Sequence, residues 1–514
     1  MFFRQDESNQ EAKSFINKTD NLEADLLNKT LFFEYWVTKL DDNTRNRLTR
    51  SLNSDDSHYV QSLKRKKPHI LGLEVEKQIK IKDVTGVKKW IQFYQQGVSK
   101  LRYNFLINGE KRKLTEGVLM SFWYSSNPKE RIVSYRTWLR EHEKHADELG
   151  EIYITTMINW NNERLKSRHY PTPMSAVTLE DDVSNEVADL VLSKCRDNCG
   201  IFRKFFSIKT RMLGMKRMSR YHLYAPLKTS GKKIPYPDAI KLVLDTYTSF
   251  DKKMGNLARR MFEQNHVNSE IRENKYSGAY CESINPKITP YLSYVYTGLL
   301  EGLFSNVHET GHGIHSMLAS KHSHLVYEPQ VPVAEIASTL GELLLLDKLM
   351  EIENDPQAKL SFLILTLNKF YRLIPRQAYF TIFEKDAHNI VDRGVTVDQL
   401  TKLYLSNLRG QFGDVIYVPE NFKWEWLGIP HIFNTPFYCY SYPFGNLMAI
   451  SLYNTFKKEG DSFKPKYINL LSYGGSESPE KMLAEVGVDI NSEKFWQGGF
   501  DIIDGLVNDL GKYK

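Results

Sequence analysis

Apolar residues recur every three or four positions through much of this chain, and this helical period is the feature that most limits its fold. Between about residues 20 and 165 the pattern continues with charged residues in between, as in LEADLLNKTLFFEYWVTKL. Further helical stretches are predicted over 178–220 and 235–266, the second opened by two prolines. Strand-like segments are scarce, so the sequence predicts a mainly α-helical protein.

The length and the prolines predict how the chain divides. A chain of 514 residues is too long for one hydrophobic core of ordinary size, so two or three lobes around a cleft are expected. In the segment 167–173, two prolines that stand two residues apart disfavour helix. We therefore predict an N-terminal helical domain over 1–170 and a catalytic domain over 171–514. Aromatic segments at 276–281 and 289–294 predict a small β-sheet.

Charge and composition argue against several classes of binding partner. The 69 basic and 62 acidic side chains leave a net charge of only +7, so no nucleic-acid partner is expected, and the basic residues 64–67 are interpreted as a solvated face. No segment has the roughly 18 apolar residues that a membrane span needs, and the first ten residues turn polar before a signal-peptide core could form. Four cysteines make no disulfide framework. We expect a cytoplasmic protein without a membrane partner.

The segment NVHETGHGIH, residues 306–315, contains the pattern His-Glu-x-x-His. On a helix, residues four apart have Cβ atoms about 5–6 Å from each other, so His308 and His312 can both direct a ring nitrogen at one metal ion. Glu309 is rotated by about 100° from His308 and lies beside the metal. There it can accept a proton from a zinc-bound water and pass it to a leaving amine. A purely structural histidine pair is the alternative to this prediction of one catalytic zinc ion.

A catalytic zinc ion needs a third protein ligand. In the segment 332–343, Pro332 suits a helix start and Glu335 follows in an otherwise apolar helix, where a carboxylate is costly unless it is paired or bound to metal. The alternative is a solvated glutamate near the helix N-terminus. Glu342, on the same face two turns later, could orient a ligand histidine or be a surface residue. The weaker candidates for the third ligand are His315, His322 and His324.

The segment 429–445, IPHIFNTPFYCYSYPFG, packs one histidine and three tyrosines into twelve residues. A phenol or imidazole donor that stabilises an oxyanion contributes about 2.7–4 kcal/mol. If Thr435 caps a helix with Pro436 at its first position, Tyr438 and Tyr442 share a face and Tyr440 points away. The proline after Tyr442 would kink this helix. We favour Tyr438 and Tyr442 as donors, and the alternative is an aromatic core helix.

Together these segments resemble the oligoendopeptidase F branch of the thimet oligopeptidase family of zinc metallopeptidases. HETGHGIHS is similar to the zinc helix of that family, AEIASTLGE to its second metal-binding helix, and PHIFNTPFYCYSYPFG to its His/Tyr segment, in the same order. Residues 220–227 and 275–280 are similar to further stretches, so the resemblance covers about residues 170 to 510. It implies that Glu335 is the third zinc ligand. It also implies that His431, Tyr438 and Tyr442 bind the substrate carbonyl and the oxyanion.

The same resemblance implies a fold and a substrate class. The family fold is almost wholly helical, with two lobes around a deep substrate channel and a small β-sheet beside the zinc site. Residues 277–280 are similar to the strand whose edge accepts an extended peptide. The leading prediction is a zinc-dependent oligoendopeptidase that hydrolyses internal bonds of short unfolded peptides. The alternatives are a zinc carboxypeptidase or dipeptidase on the same scaffold, or a non-catalytic peptide-binding protein, and cobalt or manganese could occupy the same ligands.

Overall fold

A computed structural model describes residues 6, 9–107, 109–227, 233–276 and 278–513, apart from several side chains of the first helix. Most of the first eight residues, which the sequence analysis interprets as a polar start, lie outside this range. The chain forms two compact units. Unit 1 comprises Met1–Pro68, Gly231–Glu353 and Met448–Ile490, and unit 2 comprises His69–Ser230, Asn354–Leu447 and Asn491–Lys514. Because the segments of the units alternate along the chain, one cut does not separate them, and the domain boundary at 170 stays a prediction.

Helices dominate both units, as predicted. In chain order they are α1 (Gln10–Lys39), α2 (Asp42–Ser51), α3 (Ser54–Lys66), α4 (Leu73–Thr85), α5 (Val87–Lys100), α6 (Glu116–Ser121), α7 (Pro128–Lys144), α8 (Ala146–Asn161), α9 (Ser175–Glu180), α10 (Asn185–Asp197), α11 (Cys199–Met212), α12 (Tyr236–Phe250), α13 (Lys252–Glu263), α14 (Leu300–Leu318), α15 (Val331–Ile352), α16 (Pro356–Leu373), α17 (Pro375–Val391), α18 (Val397–Phe412), α19 (Pro430–Asn434), α20 (Ser441–Glu459), α21 (Phe463–Leu471), α22 (Pro479–Glu485) and α23 (Glu493–Leu510). Short 3-10 turns lie at Lys67–His69, Phe122–Tyr124, Arg220–His222, Glu420–Gly428, Tyr438–Tyr440 and Gly460–Ser462, and one π-helical turn at Asn162–Ser167.

The strands are short. They are β1 (Tyr103–Ile107), β2 (Glu110–Leu114), β3 (Met218–Ser219), β4 (Val267–Asn268), β5 (Tyr280–Glu282), β6 (Tyr291–Ser293) and β7 (Ile416–Tyr417). Strands β4, β6 and β5 form a three-stranded sheet in that order, with β4 parallel and β5 antiparallel to β6. Cys281 of β5 pairs with Leu292 of β6, which fixes the register. This sheet confirms the small β-sheet predicted from the aromatic segments.

The hairpin of β1 and β2 was not predicted. Its strands pair antiparallel from Tyr103 opposite Leu114 to Ile107 opposite Glu110. The sequence did carry a signal, because Asn-Gly between two extended runs favours a two-residue hairpin turn. Gly109 has a φ of 86°, which glycine adopts without strain. Asn108 lies outside the described residues.

Several predicted helix boundaries are confirmed. Helix α8 ends at Asn161, and after the π-helical turn no α-helix begins before Ser175, so the 167–173 segment does interrupt the helices. Pro332 lies in the first turn of α15.

The basic run of residues 64–67 begins in the last turn of α3, where positive charge suits the helix dipole, and Lys67 Nζ donates a hydrogen bond to Leu40 O over 3.1 Å. Within the described residues, no helix is long and apolar enough to cross a membrane.

Candidate active site

Helix α14 carries the His-Glu-x-x-His pattern through the core of unit 1. Most of its apolar face is buried, with Val307 and Ile314 at zero exposure, and burial of this face holds the helix in place. Tyr247 of α12, also fully buried, donates a hydrogen bond from its hydroxyl to Val307 O over 2.7 Å. His308 and His312, by contrast, are partly exposed. The helix therefore places both imidazoles at a surface of unit 1.

Helix α15 crosses α14 at very short range. A Cβ atom on Gly311 would lie 2.6 Å from Ser338 Cα and 2.7 Å from Ala337 O. Only a residue without a side chain fits at this crossing. The close approach brings Glu335, one turn into α15, beside the two histidines of α14.

Three potential donor atoms converge at this crossing. The Nε2 atoms of His308 and His312 are 3.2 Å apart, and the Glu335 carboxylate lies 3.5 Å from the first and 3.8 Å from the second. One ligand atom from each residue can be chosen so that all three lie within 4.8 Å of one another. We call His308, His312 and Glu335 the donor group. Two imidazoles and one carboxylate are the donor set of many catalytic zinc sites, and they leave a coordination position open. The residues present thus fit a zinc ion.

Glu342 fixes the tautomer of His308. Its buried carboxylate, 5% exposed, accepts a hydrogen bond from His308 Nδ1 over 2.5 Å. With the proton on Nδ1, the lone pair of Nε2 is free to bind a metal ion between the three donor residues. A carboxylate that orients a ligand histidine in this way also makes the ring a better donor.

Glu309 lines the same pocket as the donor group. This pocket has a volume of about 470 Å³, and its walls come from residues 279–283, from α14 and from the start of α15. Glu309 is 5% exposed and therefore mostly shielded from water. Burial and the nearby Glu309 carboxylate raise the pKa of the Cys281 thiol, so the one cysteine in the pocket wall stays protonated at neutral pH.

The competing histidines are not part of this donor group. His315 borders the same pocket but is buried at 3% exposure, and this burial lowers its pKa to about 4. His322 contacts Asp55 Oδ1 at 3.0 Å and Ser472 O at 2.9 Å, and His324 is exposed. Within the described part of the chain, the metal-type donor group contains Glu335 and none of these three.

His431, Tyr438 and Tyr442 form a second cluster, in unit 2. Tyr442 Oη lies 3.4 Å from His431 Nε2, and the rings of Tyr438 and Tyr442 meet edge to face at 5.5 Å. Burial lowers the pKa of His431, so its ring is neutral at pH 7. All three side chains are partly exposed. The predicted site residues therefore gather in two groups, one in each unit.

The predicted helix start at Thr435 is wrong. Thr435 instead is the C-cap that follows the last residue of α19, and the chain turns at Phe437, whose φ of 61° is left-handed and cannot belong to a helix. A 3-10 turn over Tyr438–Tyr440 leads into α20 at Ser441. The expected kink is also absent, because Pro443 falls in the first turn of α20, where its missing N–H is not needed.

The face relationship of the tyrosines survives this change. The turn from Tyr438 into α20 keeps Tyr438 and Tyr442 on one side. Tyr440 is buried and hydrogen-bonds the carboxylate of Asp181, so it points away from that side, as the sequence analysis expected.

Glu384 is a structural residue beside the His/Tyr cluster that the sequence analysis missed. The carboxyl group is fully buried on α17 and accepts a hydrogen bond from Phe437 N over 2.8 Å. It thereby holds the left-handed turn that precedes Tyr438. Burial raises its pKa to about 8, so the carboxyl group is largely neutral at pH 7. Nothing in the local sequence could reveal this contact, because the two residues are 53 positions apart.

Comparisons with known proteins agree with this architecture. The sequence pattern of peptidase family M3 matches residues 121–502, which include both clusters. The chain is 26% identical to oligoendopeptidase F of Lactococcus lactis subsp. cremoris over 465 residues, which cover 88% of this chain and 76% of that protein. It is 25% identical to the oligopeptidase PepF of Bacillus subtilis over 443 residues, 85% of this chain and 66% of the relative.

Solved structures show the same fold. The oligoendopeptidase F of Enterococcus faecium superposes with a TM-score of 0.76 at 20% identity, over 99% of this chain and 88% of the other. A peptidase of Chlamydophila abortus superposes with a TM-score of 0.88 at 23% identity, over 100% of this chain and 87% of the other. The chain therefore belongs to peptidase family M3, is similar to the oligoendopeptidase F proteins of that family, and is a metalloendopeptidase.

Proposed function

We propose that this chain hydrolyses internal bonds of short unfolded peptides with one zinc ion held by His308, His312 and Glu335. The observation that carries this proposal is the convergence of the three donors beside a buried carboxylate, that of Glu309. Three protein ligands with one open position are typical of catalytic zinc, whereas structural sites close the fourth position with a protein ligand.

The zinc ion would supply Lewis acidity, which acidifies the attacking water and polarises the scissile carbonyl. The proton transfers fall to Glu309. Its carboxylate accepts the proton of the attacking water and then donates it to the leaving amine nitrogen. Glu342 keeps the proton of His308 on Nδ1, so that the lone pair of Nε2 stays free to bind the metal during the reaction.

His431, Tyr438 and Tyr442 are our candidates for binding the substrate carbonyl and the oxyanion, as the family resemblance implies. The experiment replaces Tyr438 and Tyr442 by phenylalanine, one at a time. Replacement of the tyrosine that donates a hydrogen bond to the oxyanion should lower kcat about 100-fold, with little change in KM. Tyr440→Phe is the control, because that hydroxyl is engaged by Asp181. Equal, small effects in both variants would contradict the assignment.

The edge of β5 is our candidate for the peptide-binding strand. Within the described residues β5 pairs only with β6, and residues 279–283 line the pocket of the donor group. An extended peptide can add to such an edge through main-chain hydrogen bonds. A segment already paired in a folded protein has no free backbone to offer, so unfolded peptides are the expected substrates.

The first test is cleavage of a quenched fluorescent peptide with and without a chelator, followed by zinc addition and mass analysis of the fragments. We expect chelator-sensitive cuts at internal bonds that zinc restores. Cuts confined to one end of the peptide would favour the carboxypeptidase or dipeptidase alternative. No cleavage of any peptide by protein with one bound zinc ion would favour a non-catalytic peptide-binding protein.

The second test addresses Glu309 alone. Glu309→Gln should still bind one zinc ion per chain but lose about 10²–10⁴-fold in kcat, because the amide cannot accept the proton. Glu301→Gln, at the exposed start of the same helix, is the matched control and should retain activity. Unchanged turnover by Glu309→Gln would rule out the general-base assignment.

A further inference from the structure

The chain between β4 and β5 must pass over the end of β6. The sheet order is β4-β6-β5, so β6 separates the two strands that are neighbours in sequence. Because β4 is parallel and β5 antiparallel to β6, the connecting segment crosses the end at which β4 and β6 finish. Its described residues, 269–276 and 278–279, lead directly to β5. Whatever fixes the crossover therefore also fixes where the edge of β5 lies.

The side chain of Lys275 holds this crossover together. Its Nζ atom donates hydrogen bonds to Tyr294 O at 2.8 Å, Glu270 O at 2.9 Å, Asn268 O at 3.0 Å and Asn268 Oδ1 at 3.1 Å. Asn268 is the last residue of β4, and Tyr294 immediately follows β6. One ammonium group thus joins the ends of both parallel strands to the crossover itself.

Lysine suits this position chemically. An ammonium group has three N–H donors and no acceptor, and here it meets four oxygen atoms. Burial, together with the positive charge of Arg272, lowers the pKa of Lys275 to about 8, so the group keeps its three protons at neutral pH. Removal of the ammonium would leave the Glu270 and Tyr294 carbonyl groups without this donor. Hydrogen bonds from charged donors are also stronger than neutral ones.

The position of β5 matters because the sheet lies against the metal-binding helix. Ser283, just after β5, contacts the hydroxyl of Ser316 on α14 at 2.6 Å. A Cβ atom on Gly313 of α14 would lie 3.6 Å from Leu292 of β6. The sheet thus packs against this helix, and the edge of β5 borders the pocket that contains His308 and His312.

We propose that Lys275 is a positioning residue for peptide binding, because it fixes the crossover that sets the edge of β5 beside the donor group. This inference rests on the proposed role of β5 as the peptide-binding strand. The hydrogen bonds of Lys275 described above involve none of the three candidate zinc ligands. Loss of its side chain should therefore impair peptide binding while zinc binding persists.

The test compares Lys275→Met with Lys253→Met, which removes an exposed lysine of α13 from the same unit. Both changes are made in a Glu309→Gln background, so that binding of a fluorescent nonapeptide is measured without turnover. Lys275→Met should bind the peptide about tenfold more weakly, with zinc stoichiometry unchanged, whereas Lys253→Met should match the background protein. Equal peptide affinity in the two variants would overturn the proposal.

Hydrogen exchange separates a failure of this inference from a failure of the proposed function. Amides of residues 278–282 should exchange about tenfold faster in Lys275→Met than in Lys253→Met, whether or not peptide is present. If the Glu309→Gln protein binds no peptide but β5 exchanges faster in Lys275→Met, the proposed peptide binding is wrong, although Lys275 still fixes the position of β5. If exchange in β5 is unchanged, the positioning role is wrong. Should Lys275→Met not fold, Lys275→Gln, which keeps two donors, must show smaller shifts in the same direction.

Discussion

At the scale of single residues, the structure separates the candidate metal ligands from the carboxylate that orients one of them. His308 offers Nε2 to the donor group only while Nδ1 holds the proton, and the carboxylate of Glu342 enforces this arrangement. The sequence places Glu342 on the same face of α15 as Glu335, two turns further along, but it cannot show which partner the side chain meets. That partner lies 34 residues away on another helix.

Replacement of Glu342 should weaken zinc binding without removing a ligand. We expect Glu342→Ala to lose about 10–100-fold in zinc affinity, because His308 can then rotate and adopt the other tautomer. The measurement is competition for zinc against a chromophoric chelator. Glu351→Ala, an exposed glutamate at the end of the same helix, is the control and should bind zinc normally. Normal zinc affinity in Glu342→Ala would contradict the orienting role.

Glu384 should make stability depend on pH. Burial raises its pKa from 4.5 to about 8, so between these values the folded protein binds more protons than the unfolded chain. Stability is therefore greatest below pH 4.5 for this group and is lost as pH rises to 8, by at most about 1.4 kcal/mol per pH unit. Glu384→Gln keeps an oxygen acceptor for Phe437 N and removes the titration, so its unfolding free energy should fall less over this range.

Urea unfolding at a series of pH values from 5 to 8 checks this expectation. The wild-type curve contains contributions from other groups, so the informative quantity is the difference between the two proteins. Glu301→Gln, an exposed substitution of the same type, should follow the wild-type curve. If Glu384→Gln follows it as well, the buried carboxyl group does not titrate in this range.

At the scale of elements, the donor group depends on how closely two helices cross. At Gly311 the two nearest atoms that an added Cβ would meet, at 2.6 Å and 2.7 Å, belong to the backbone of α15, and backbone cannot rotate aside. Gly311→Ala should therefore separate the helices and cost about 1–3 kcal/mol of unfolding free energy. Because His312 lies on α14 and Glu335 on α15, separation of the helices would move these two residues apart, and zinc affinity should fall as well.

A glycine in open space supplies the control for this substitution. Gly505 lies on the exposed side of α23, and no heavy atom lies within 4 Å of the position that its Cβ would take. Gly505→Ala should stabilise the protein by about 0.5–1 kcal/mol, because alanine loses less backbone entropy in a helix. Thermal unfolding should show opposite shifts in the two variants, and zinc titration should show weaker binding in Gly311→Ala alone. Normal zinc affinity in Gly311→Ala would mean that the helices tolerate the added methyl group.

The elements also show what local sequence can and cannot predict. Helical period, the proline at the start of α15 and the aromatic segments around β5 and β6 act within a few residues, and these predictions are confirmed. The start of α20 was misplaced because the left-handed turn at Phe437 is held by Glu384, a contact that no local pattern contains. The β1–β2 hairpin could have been predicted from Asn108-Gly109. The strand at residues 277–280 begins only at Tyr280, and Ser277 lies outside the described residues.

At the scale of the whole molecule, the chain passes repeatedly between two compact units, yet one unit supplies the entire donor group. His308, His312 and Glu335 all belong to the segment Gly231–Glu353 of unit 1. The sequence pattern could indicate the residues of this group, because two lie on one helix and the third on the next. It could not indicate the alternation of segments, since that depends on contacts between residues hundreds of positions apart.

Zinc should therefore stabilise unit 1 directly. A ligand that binds only the folded state adds about 2.7 kcal/mol of stability when its free concentration is 100 times its dissociation constant. Native-state hydrogen exchange at increasing zinc concentration should show slower exchange in α14 and α15, because opening either helix releases the ion. His312→Ala should show no such response, since it lacks one donor. If exchange in α14 and α15 does not slow with zinc in the wild-type protein, these two helices do not hold the metal.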